Sequence, residues 1–410
     1  MKVALITSYS LDATMPLAKH LAEEDIDVHL FAIMPKYNQN VYVVDFSTDK
    51  QPNGFVSSNI SNQKMGKSLC QYLSRINTKF FVYPKGAGKK AYFLDIYYAW
   101  KFSRYIIKGK FDVVHLIHTA NRFSQLIMHF LKRQNLIQTL HEVTAHSGDT
   151  SIYNIRILQN IIKNNIPVIF HSQISKDRFI KFRSTITSSP IDMDLLTIIR
   201  FSLHETYLHF LPEEEKINGQ TVDSSIPIIL HIGRVQPYKG IDILIDAVKI
   251  IQKNQPVHLI VAGGGDPYFN FEGIDNYEFL NYAVDNEKII ELIKKSTLVV
   301  CPYRSASQSG IPMTVFPFNK PVIASNTGAF SEVINHNVTG MLVDKIDAPS
   351  FADAIQSLLS NEGLRDTMVS NIKNFMQGEF SWSNIAKKTK DFYKSNYDGS
   401  KMSKTNAPKS

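Results

Sequence analysis

The stretch that decides the fold is His231-Ile-Gly-Arg-Val-Gln-Pro-Tyr-Lys-Gly240, which connects an apolar segment to an amphipathic one. Residues 226–232 are almost continuously apolar, which is typical of a strand that is buried on both faces of a parallel sheet. Residues 240–253 place four apolar side chains on one face of a helix: Ile241, Leu244, Ile245 and Val248. The stretch therefore predicts a strand, a short loop containing Arg234 and Lys239, and a helix.

The loop between that strand and that helix has the composition of a phosphate-binding turn. Arg234 offers a planar fork of hydrogen-bond donors, and Lys239 offers a compact positive charge. Gly233 permits a tight turn after the strand, and Gly240 lets the helix begin close to a ligand. The alternative is a generic loop with two exposed cations, and a second loop favours the phosphate interpretation over it.

That second loop, Ser305-Ala-Ser-Gln-Ser-Gly310, is rich in small residues and opens into another helical segment. The backbone N–H groups of Ser309 and Gly310 are expected near the N-terminus of that helix, where the helix dipole favours an anion. Together with Arg234 and Lys239, this loop predicts a pocket for a diphosphate.

Apolar runs and amphipathic segments alternate along the rest of the chain, which is typical of a doubly wound parallel sheet. The first helix is expected at residues 14–24, with Thr14 as its N-cap. Strands are predicted at residues 3–6, 28–33, 113–117, 136–140, 167–171, 226–232, 257–262, 298–301 and 322–324. Ligands of such folds bind beyond the carboxyl ends of the strands, and most of the motifs follow a strand directly.

The chain has 410 residues, a length that favours two domains. A polar, turn-rich segment at 202–225 interrupts the alternating pattern. We therefore predict an α/β protein with two Rossmann-like domains that face a deep cleft. Their predicted ranges, with those of a final helix and a disordered tail, are 1–205, 206–382, 383–397 and 398–410.

The composition indicates a soluble globular protein, with 44% hydrophobic and 20% charged residues. Apolar runs stay shorter than the roughly 18 residues that a membrane span needs. The two cysteines indicate neither a disulfide framework nor a metal cluster, so the cytoplasm is the expected compartment. The net charge of +8 suits anionic partners, but the sequence contains no recognised nucleic-acid-binding module, so nucleic acid is not an expected partner.

Residues 79–110 combine eight Lys or Arg and ten aromatic residues with a single acid, Asp95. Basic residues mixed with aromatic rings suit an anionic membrane surface, where rings lie among the lipid headgroups. The same pattern also fits a helix with an ordinary aromatic core face and a solvated basic face. Both interpretations stay open: a peripheral protein on the inner face of the cell membrane, or an ordinary helix.

Further short motifs accompany the loop Gly233–Gly240 along nearly the whole chain. They are Thr139-Leu-His-Glu142, His171-Ser-Gln-Ile-Ser175, Val261-Ala-Gly-Gly-Gly265, Pro321-Val-Ile-Ala-Ser-Asn-Thr-Gly328, Glu332, Thr339-Gly340 and Phe380-Ser-Trp382. With the Gly-Arg-x4-Lys-Gly loop, this set resembles the family-four retaining glycosyltransferases of polysaccharide assembly (glycosyl transferases group 1), which have the GT-B fold. The resemblance is closest in the second half of the chain.

The resemblance implies a donor domain at 206–382 for a UDP- or GDP-sugar co-substrate, an acceptor-binding domain at 1–205, and a last helix that returns to the N-terminal domain. Neither a metal nor a further cofactor is expected. Arg234 and Lys239 would neutralise the departing diphosphate, and His141 would lie over the sugar, which makes these three the candidate catalytic residues. The candidate donor-binding residues are Gly233, Arg234, Lys239, Gly263, Gly264, Ser309, Gly310, Ile311, Thr314 and Glu332. The acceptor-side candidates are Ser8, Tyr9, Ser10 and His118.

Two of the departures from the family pattern are Ala306 and Thr314, which replace glutamates that normally lie near the donor sugar and ribose. The first function that we predict is transfer of a sugar, with retention, to a glycan or polyprenyl-linked glycan in bacterial capsule, exopolysaccharide or O-antigen synthesis. The alternative is a catalytically degenerate relative that binds or scaffolds other proteins in a glycan-assembly complex.

Overall fold

In the computed structural model, the described residues are 1–8, 11–36, 51–84, 88–117, 121–141, 143, 152–200, 202, 205, 226–306 and 310–397. The chain divides into two compact units. Unit 1 comprises Met1–Arg200 and Trp382–Ser410, and unit 2 comprises Phe201–Ser381. Most of the predicted junction at 202–225 and all of the predicted tail at 398–410 lie outside the described residues.

Unit 1 is built on an eight-stranded sheet with the order β3-β4-β2-β1-β5-β6-β7-β8, in which only the β3–β4 pair is antiparallel. The strands are β1 Lys2–Thr7, β2 Asp27–Pro35, β3 Gly54–Phe55, β4 Asn77–Tyr83, β5 Val113–Ile117, β6 Leu136–Leu140, β7 Val168–Phe170 and β8 Leu196–Ile198. Alternate residues of β1 point to opposite faces, and Val3, Ala4, Leu5 and Ile6 are all fully buried. Both faces of the sheet are therefore covered, as the apolar runs predict.

Six helices connect these strands in the part of unit 1 that the structure describes. They are α1 Leu11–Glu23, α2 Ser58–Tyr72, α3 Gly88–Lys108, α4 Arg122–Leu131, α5 Ile152–Lys163 and α6 Gln173–Ser184. The sequence-based prediction of α1 is wrong at its start, because the helix begins at Leu11 and Thr14 is buried inside it rather than capping it. The caps of α4 and α6 are regular, since the side chains of Asn121 and Ser172 accept hydrogen bonds from backbone N–H groups in the first turn.

The C-terminal helix of the described chain, Trp382–Ser395, belongs to unit 1 and packs against α1. Tyr393 on this helix is fully buried, and its hydroxyl lies 2.6 Å from Nδ1 of His115 on β5. Nε2 of the same imidazole lies 2.7 Å from the Thr139 hydroxyl on β6. Burial lowers the pKa of His115 to about 3, so this imidazole is a neutral group that attaches the helix to the middle of the sheet.

Unit 2 is built on a six-stranded parallel sheet with the order β11-β10-β9-β12-β13-β14. Its strands are β9 Ile228–Ile232, β10 His258–Ala262, β11 Tyr277–Leu280, β12 Leu298–Cys301, β13 Val322–Ser325 and β14 Gly340–Val343. Its helices are α7 Ile241–Gln252, α8 Asn286–Lys295, α9 Ile311–Val315, α10 Ala348–Ser360 and α11 Glu362–Gln377, and the C-terminal helix of unit 1 is α12. Two separate apolar clusters cover the two faces of this sheet.

The strands predicted from the sequence are confirmed, with ends that shift by at most two residues. The sequence suggests a helix in the window 79–110. In the structure, the first residues of this window belong to β4 instead. That strand pairs with β2, and its residues Phe80 and Phe81 are fully buried. Within the described part of this window, most of the exposed side chains lie on α3. No helix in the described part of the chain is long and apolar enough to cross a membrane.

Candidate functional site

The loops that follow β9 and β10 run side by side at the carboxyl edge of the sheet of unit 2. The two strands are parallel neighbours, so their carboxyl ends lie together. The N–H of Gly233 donates to the carbonyl of Ala262 at 2.9 Å, and the N–H of Val235 donates to the carbonyl of Gly264 at 3.0 Å. The predicted site residues Gly233, Arg234, Gly263 and Gly264 therefore form one backbone surface.

The close approach of these loops requires glycine at position 263. Gly263 has a φ of +149°, and a Cβ atom there would lie 2.0 Å from the carbonyl oxygen of Gly233. Such a contact is impossible without displacing backbone. The glycine motif after β10 thus has a local structural cause, since it lets this loop lie against the turn that carries Arg234.

Lys239 is positioned by a tyrosine that the sequence analysis did not identify. It ends the 3₁₀ turn Pro237–Lys239, and its Nζ donates a hydrogen bond of 2.6 Å to the hydroxyl of Tyr303. The same Nζ lies 4.0 Å from the centroid of the Tyr303 ring, within the range of a cation–π contact. Tyr303 is only 1% exposed and follows β12, the neighbour of β9. The Lys239 ammonium is therefore fixed near the carboxyl ends of both strands.

Two arginines lie near this edge, and they differ in whether the guanidinium is paired with an acid. Arg304 forms a two-pronged pair with Asp242, at 2.9 and 2.5 Å, and also donates to the carbonyl of Pro237 at 2.7 Å. Burial raises the pKa of Asp242, but the hydrogen bonds and charge of Arg304 outweigh this effect, and the pKa lies below its ordinary value. Arg234 is exposed, and its guanidinium has no hydrogen bond or ion pair within the described part of the chain.

The edge therefore offers a fixed ammonium at Lys239 and an exposed guanidinium at Arg234, a combination suited to a phosphorylated ligand. Among the residues that the structure describes, no group of three His, Cys, Asp or Glu side chains could hold a metal ion. His231, the penultimate residue of β9, is fully buried, and its Nδ1 donates to the carbonyl of Val300 at 3.0 Å. Burial, and then the charge of Lys239, lower its pKa to about 4, so it adds no charge.

The second predicted loop leads into α9, which has only five residues. The N–H and the hydroxyl of Thr314 both donate to the carbonyl of Gly310, at 2.9 and 3.0 Å, so this threonine closes its own helical turn. Pro312 removes one N–H group from the first turn that begins at Ile311. Glu332 is half-buried at the end of the 3₁₀ turn Gly328–Glu332. Ser309 lies outside the described residues.

The candidates of unit 1 lie at the carboxyl edge of the other sheet. Ser8 follows β1 and is buried, and His141 follows β6 and is half-buried. The strand β5 lies between β1 and β6, so one strand separates the two residues. The ring of His141 lies 4.5 Å from that of His171, whose Nδ1 donates to the carbonyl of Ile199 at 2.8 Å. The predicted residues Tyr9, Ser10 and His118 are outside the part of the chain that the structure describes.

Comparison with known proteins places these loops in a recognised domain. Residues 212–375 match the model of the family described as Glycosyl transferases group 1. The chain contains a glycosyl transferases group 1 domain. The matched range includes the loops after β9 and β10, Tyr303, α9 and Glu332. Arg234 and Lys239 are therefore residues of the glycosyltransferase domain.

Relatives match over different shares of their length. An uncharacterised glycosyltransferase of Methanocaldococcus jannaschii, MJ1607, is 31% identical over 191 residues, which are 44% of this chain and 49% of that protein. The uncharacterised glycosyltransferase MJ1178 of the same organism is 27% identical over 290 residues, 69% of this chain and 76% of that protein. The chain thus spans about half the length of MJ1607 and about three quarters of MJ1178.

The similarity to solved structures extends over nearly the whole chain. Sucrose-phosphate synthase from Thermosynechococcus elongatus has a TM-score of 0.67 at 18% identity and covers 96% of this chain and 98% of that one. HepE from Anabaena, in complex with UDP and glucose, has a TM-score of 0.64 at 16% identity and covers 96% of this chain and 100% of that one. The predicted α/β fold with two Rossmann-like parallel sheets, of the GT-B type, is confirmed.

Proposed function

We propose that this protein is a glycosyltransferase that takes a sugar from a UDP- or GDP-sugar and transfers it to a glycan or a lipid-linked glycan. One observation carries the proposal: within the glycosyltransferase domain, the Lys239 ammonium is fixed at 2.6 Å from the Tyr303 hydroxyl, and the same short loop carries the exposed Arg234. We assign these two cations to the diphosphate of the donor. We further propose that the transfer retains the configuration of the sugar and needs no metal, and that the protein acts in bacterial surface polysaccharide synthesis.

The chemistry that we assign to the two cations is stabilisation of a leaving group. When the bond between the anomeric carbon and the phosphate oxygen breaks, the nucleoside diphosphate keeps the electron pair and gains negative charge. The acceptor oxygen bonds to the anomeric carbon, and the acceptor proton passes to the leaving phosphate. Lys239 and Arg234 offset the growing charge, and a donor group that is already fixed needs no reorganisation at that moment. No side chain is assigned as a nucleophile.

Complexes of similar proteins support a nucleoside diphosphate as the ligand. HepE was solved with UDP and with UDP-glucose, and the catalytic domain of starch synthase IV from Arabidopsis thaliana was solved with ADP and acarbose. The bases differ, whereas the diphosphate is common to these ligands. For this chain we assign Gly233, Gly263 and Gly264 to the same ligand, since their loops form the backbone surface to which Arg234 belongs. We assign His141 to the sugar and Ser8 to the acceptor.

The second candidate function is a degenerate, non-catalytic subunit of a glycan-assembly complex. It is favoured by the side chains at the two positions where carboxylates are expected. Ala306 is buried and offers no polar group, and the hydroxyl of Thr314 already donates to the carbonyl of Gly310. A scaffold of this kind would neither bind a nucleotide nor depend on Arg234.

A thermal-shift screen on the wild type, Arg234→Ala and Lys253→Ala separates the two functions. UDP, GDP, ADP, CMP and their sugar conjugates are the probes. We expect one nucleoside diphosphate to stabilise the wild type, by about 2.7 kcal/mol at a hundred times its dissociation constant. The shift should be lost in Arg234→Ala and kept in Lys253→Ala, which removes an exposed cation at the far end of α7. No shift with any probe contradicts the transferase proposal and favours the scaffold.

Tyr303→Phe tests whether the tyrosine positions Lys239. The variant keeps the ring beneath the ammonium but removes the hydroxyl, whose hydrogen bond contributes about 1 kcal/mol. We expect kcat to fall roughly 3- to 10-fold with little change in KM, because the lost contact orients a group that acts on the leaving diphosphate. Tyr303→Leu, which also removes the cation–π contact, should lower kcat further.

The matched control for Tyr303 is Tyr277→Phe, which removes a hydroxyl from a ring that is 45% exposed and stacks on Phe271. This control should leave kcat unchanged. Equal kcat values for Tyr303→Phe and the wild type would remove the positioning role. A loss of stability without a fall in kcat would mean that Tyr303 only contributes to the core.

A further inference from the structure

The helix α3 in unit 1 buries one face and exposes aromatic rings on the opposite face. Its buried residues include a helical repeat, Asp95, Ala99, Phe102 and Ile106, together with Ser103. The same repeat two positions earlier, roughly 200° around the helix, contains Phe93, Tyr97, Trp100 and Arg104. Phe93, Tyr97 and Trp100 are 69%, 52% and 42% exposed. We call this stripe, together with the neighbouring exposed residues Lys101 and Lys108, the outer face of α3.

The aromatic rings of the outer face do not contribute to the core of unit 1. Phe81 and Phe102 from the same window are fully buried and already fill the space between α3 and the sheet, with ring centroids 5.0 Å apart. The exposed rings contact one another instead, since the centroids of Tyr97 and Trp100 are 6.3 Å apart. The solvent side of a helix normally carries polar residues, and contiguous exposed apolar groups indicate an interaction surface.

The charges on the outer face are all of one sign. Asp95, the single acid between residues 79 and 110, is buried and accepts a hydrogen bond of 2.6 Å from Nε of Arg122. The Asp95 carboxylate is therefore buried and already paired with Arg122. The exposed charged side chains of the helix are positive: Lys101, Arg104 and Lys108. Arg104 also lies over the ring of Trp100, with its guanidinium carbon 5.0 Å from the ring centroid. Aromatic and cationic groups thus form one continuous surface.

We propose that the outer face of α3 binds an anionic lipid bilayer, with the helix lying parallel to the membrane plane. Aromatic side chains partition to the level of the lipid headgroups, and lysine and arginine are attracted to anionic lipids. The face combines both groups on one exposed surface. The proposal does not rest on the sugar-transfer activity, because all of these residues belong to unit 1, whereas the assigned cations belong to unit 2.

Charge disfavours the main competing occupant, a second copy of the same face. A symmetric pair would bring Lys101, Arg104 and Lys108 of one copy towards the same residues of the other, and like charges repel. An anionic bilayer provides both an apolar layer for the rings and opposite charge for the cations. The outer face of α3 therefore matches a membrane better than it matches itself.

Flotation with vesicles of phosphatidylcholine, with or without phosphatidylglycerol, tests the proposal on the full chain. We expect binding only when phosphatidylglycerol is present, and a loss at high salt, which screens surface charge. The variants Phe93→Ser/Tyr97→Ser/Trp100→Ser and Lys101→Ser/Arg104→Ser/Lys108→Ser should each lower the partition coefficient roughly tenfold or more. The control Tyr277→Ser/Tyr282→Ser removes two exposed rings from unit 2 and should float like the wild type.

Fluorescence adds a local readout, because the chain has only two tryptophans and Trp382 is buried. The emission should shift to the blue on vesicles that contain phosphatidylglycerol, and the shift should vanish in Trp100→Phe. Lys239→Ala should still bind vesicles, which separates this proposal from the transferase assignment. Absence of vesicle binding by the wild type, or flotation of both α3 variants at the wild-type level, overturns the proposal. Dimerisation abolished by the aromatic variant, without vesicle binding, would favour a second copy instead.

Discussion

Lys239→Ala is expected to lower turnover by on the order of 10²-fold or more while the fold stays intact. The ammonium lies within 2.6 Å of the Tyr303 hydroxyl and is held by that ring at the carboxyl ends of β9 and β12. A fixed positive charge acts most strongly where negative charge appears during the reaction, so its loss should reduce kcat far more than it raises KM. Steady-state kinetics with the donor found in the thermal-shift screen measure both constants.

Two further variants make this result specific. Lys253→Ala removes an exposed lysine from the opposite end of α7 and should leave kcat unchanged. Lys239→Arg keeps the charge but replaces a compact ammonium with a larger planar fork, and it should recover only part of the rate. Circular dichroism and the melting temperature of Lys239→Ala show whether the fold is retained. A wild-type rate in a folded Lys239→Ala protein would exclude this lysine from the diphosphate site.

The strand-loop-helix unit around Arg234 could be predicted because each part carries a local signal. The apolar run before Gly233, the turn formers in the loop and the spacing of apolar residues after Gly240 all act over a few residues. β4 was missed for the opposite reason. Asn77-Thr-Lys-Phe-Phe-Val-Tyr83 begins with polar residues and contains Lys79. Its strand character comes from pairing with β2, which is a tertiary contact.

The start of α1 shows a related limit. A threonine two residues before a proline is a common signal for a helix N-terminus, and Thr14 precedes Pro16 in this way. The helix nevertheless begins at Leu11, and both Thr14 and Pro16 are buried within it. Packing against the rest of unit 1 outweighs the local capping signal.

The site shows the same division between local and tertiary information. Arg234 and Lys239 stand out because two cations share one short loop. Tyr303 does not, since its contact with Lys239 joins residues 64 positions apart. It could have been anticipated only by placing β12 next to β9. Arg304 would be easy to mistake for a ligand-binding cation, yet Asp242 holds both prongs of its guanidinium.

Gly328→Ala is expected to destabilise unit 2 strongly. Gly328 follows β13 with a φ of +57°, and a Cβ atom there would lie 1.5 Å from the carbonyl oxygen of Ala306 in the loop after β12. The left-handed backbone costs an alanine about 1 kcal/mol, and the clash requires two packed loops to separate. We therefore expect the free energy of unfolding to fall by about 3 kcal/mol or more. The melting temperature should then drop by roughly 6–12 °C.

The matched control isolates the clash from the backbone term. Gly273 also has a positive φ, of +77°, but a Cβ atom there meets nothing closer than the flexible Lys249 side chain at 3.7 Å. Gly273→Ala should therefore show only the backbone cost. The difference in melting temperature between the two variants measures the contact between the loops after β12 and β13. Equal melting temperatures for both variants would mean that the loop containing Ala306 moves away easily. Because Ala306 stands where a family glutamate is expected, that result would also mean that the buried backbone of this loop does not shape the donor site.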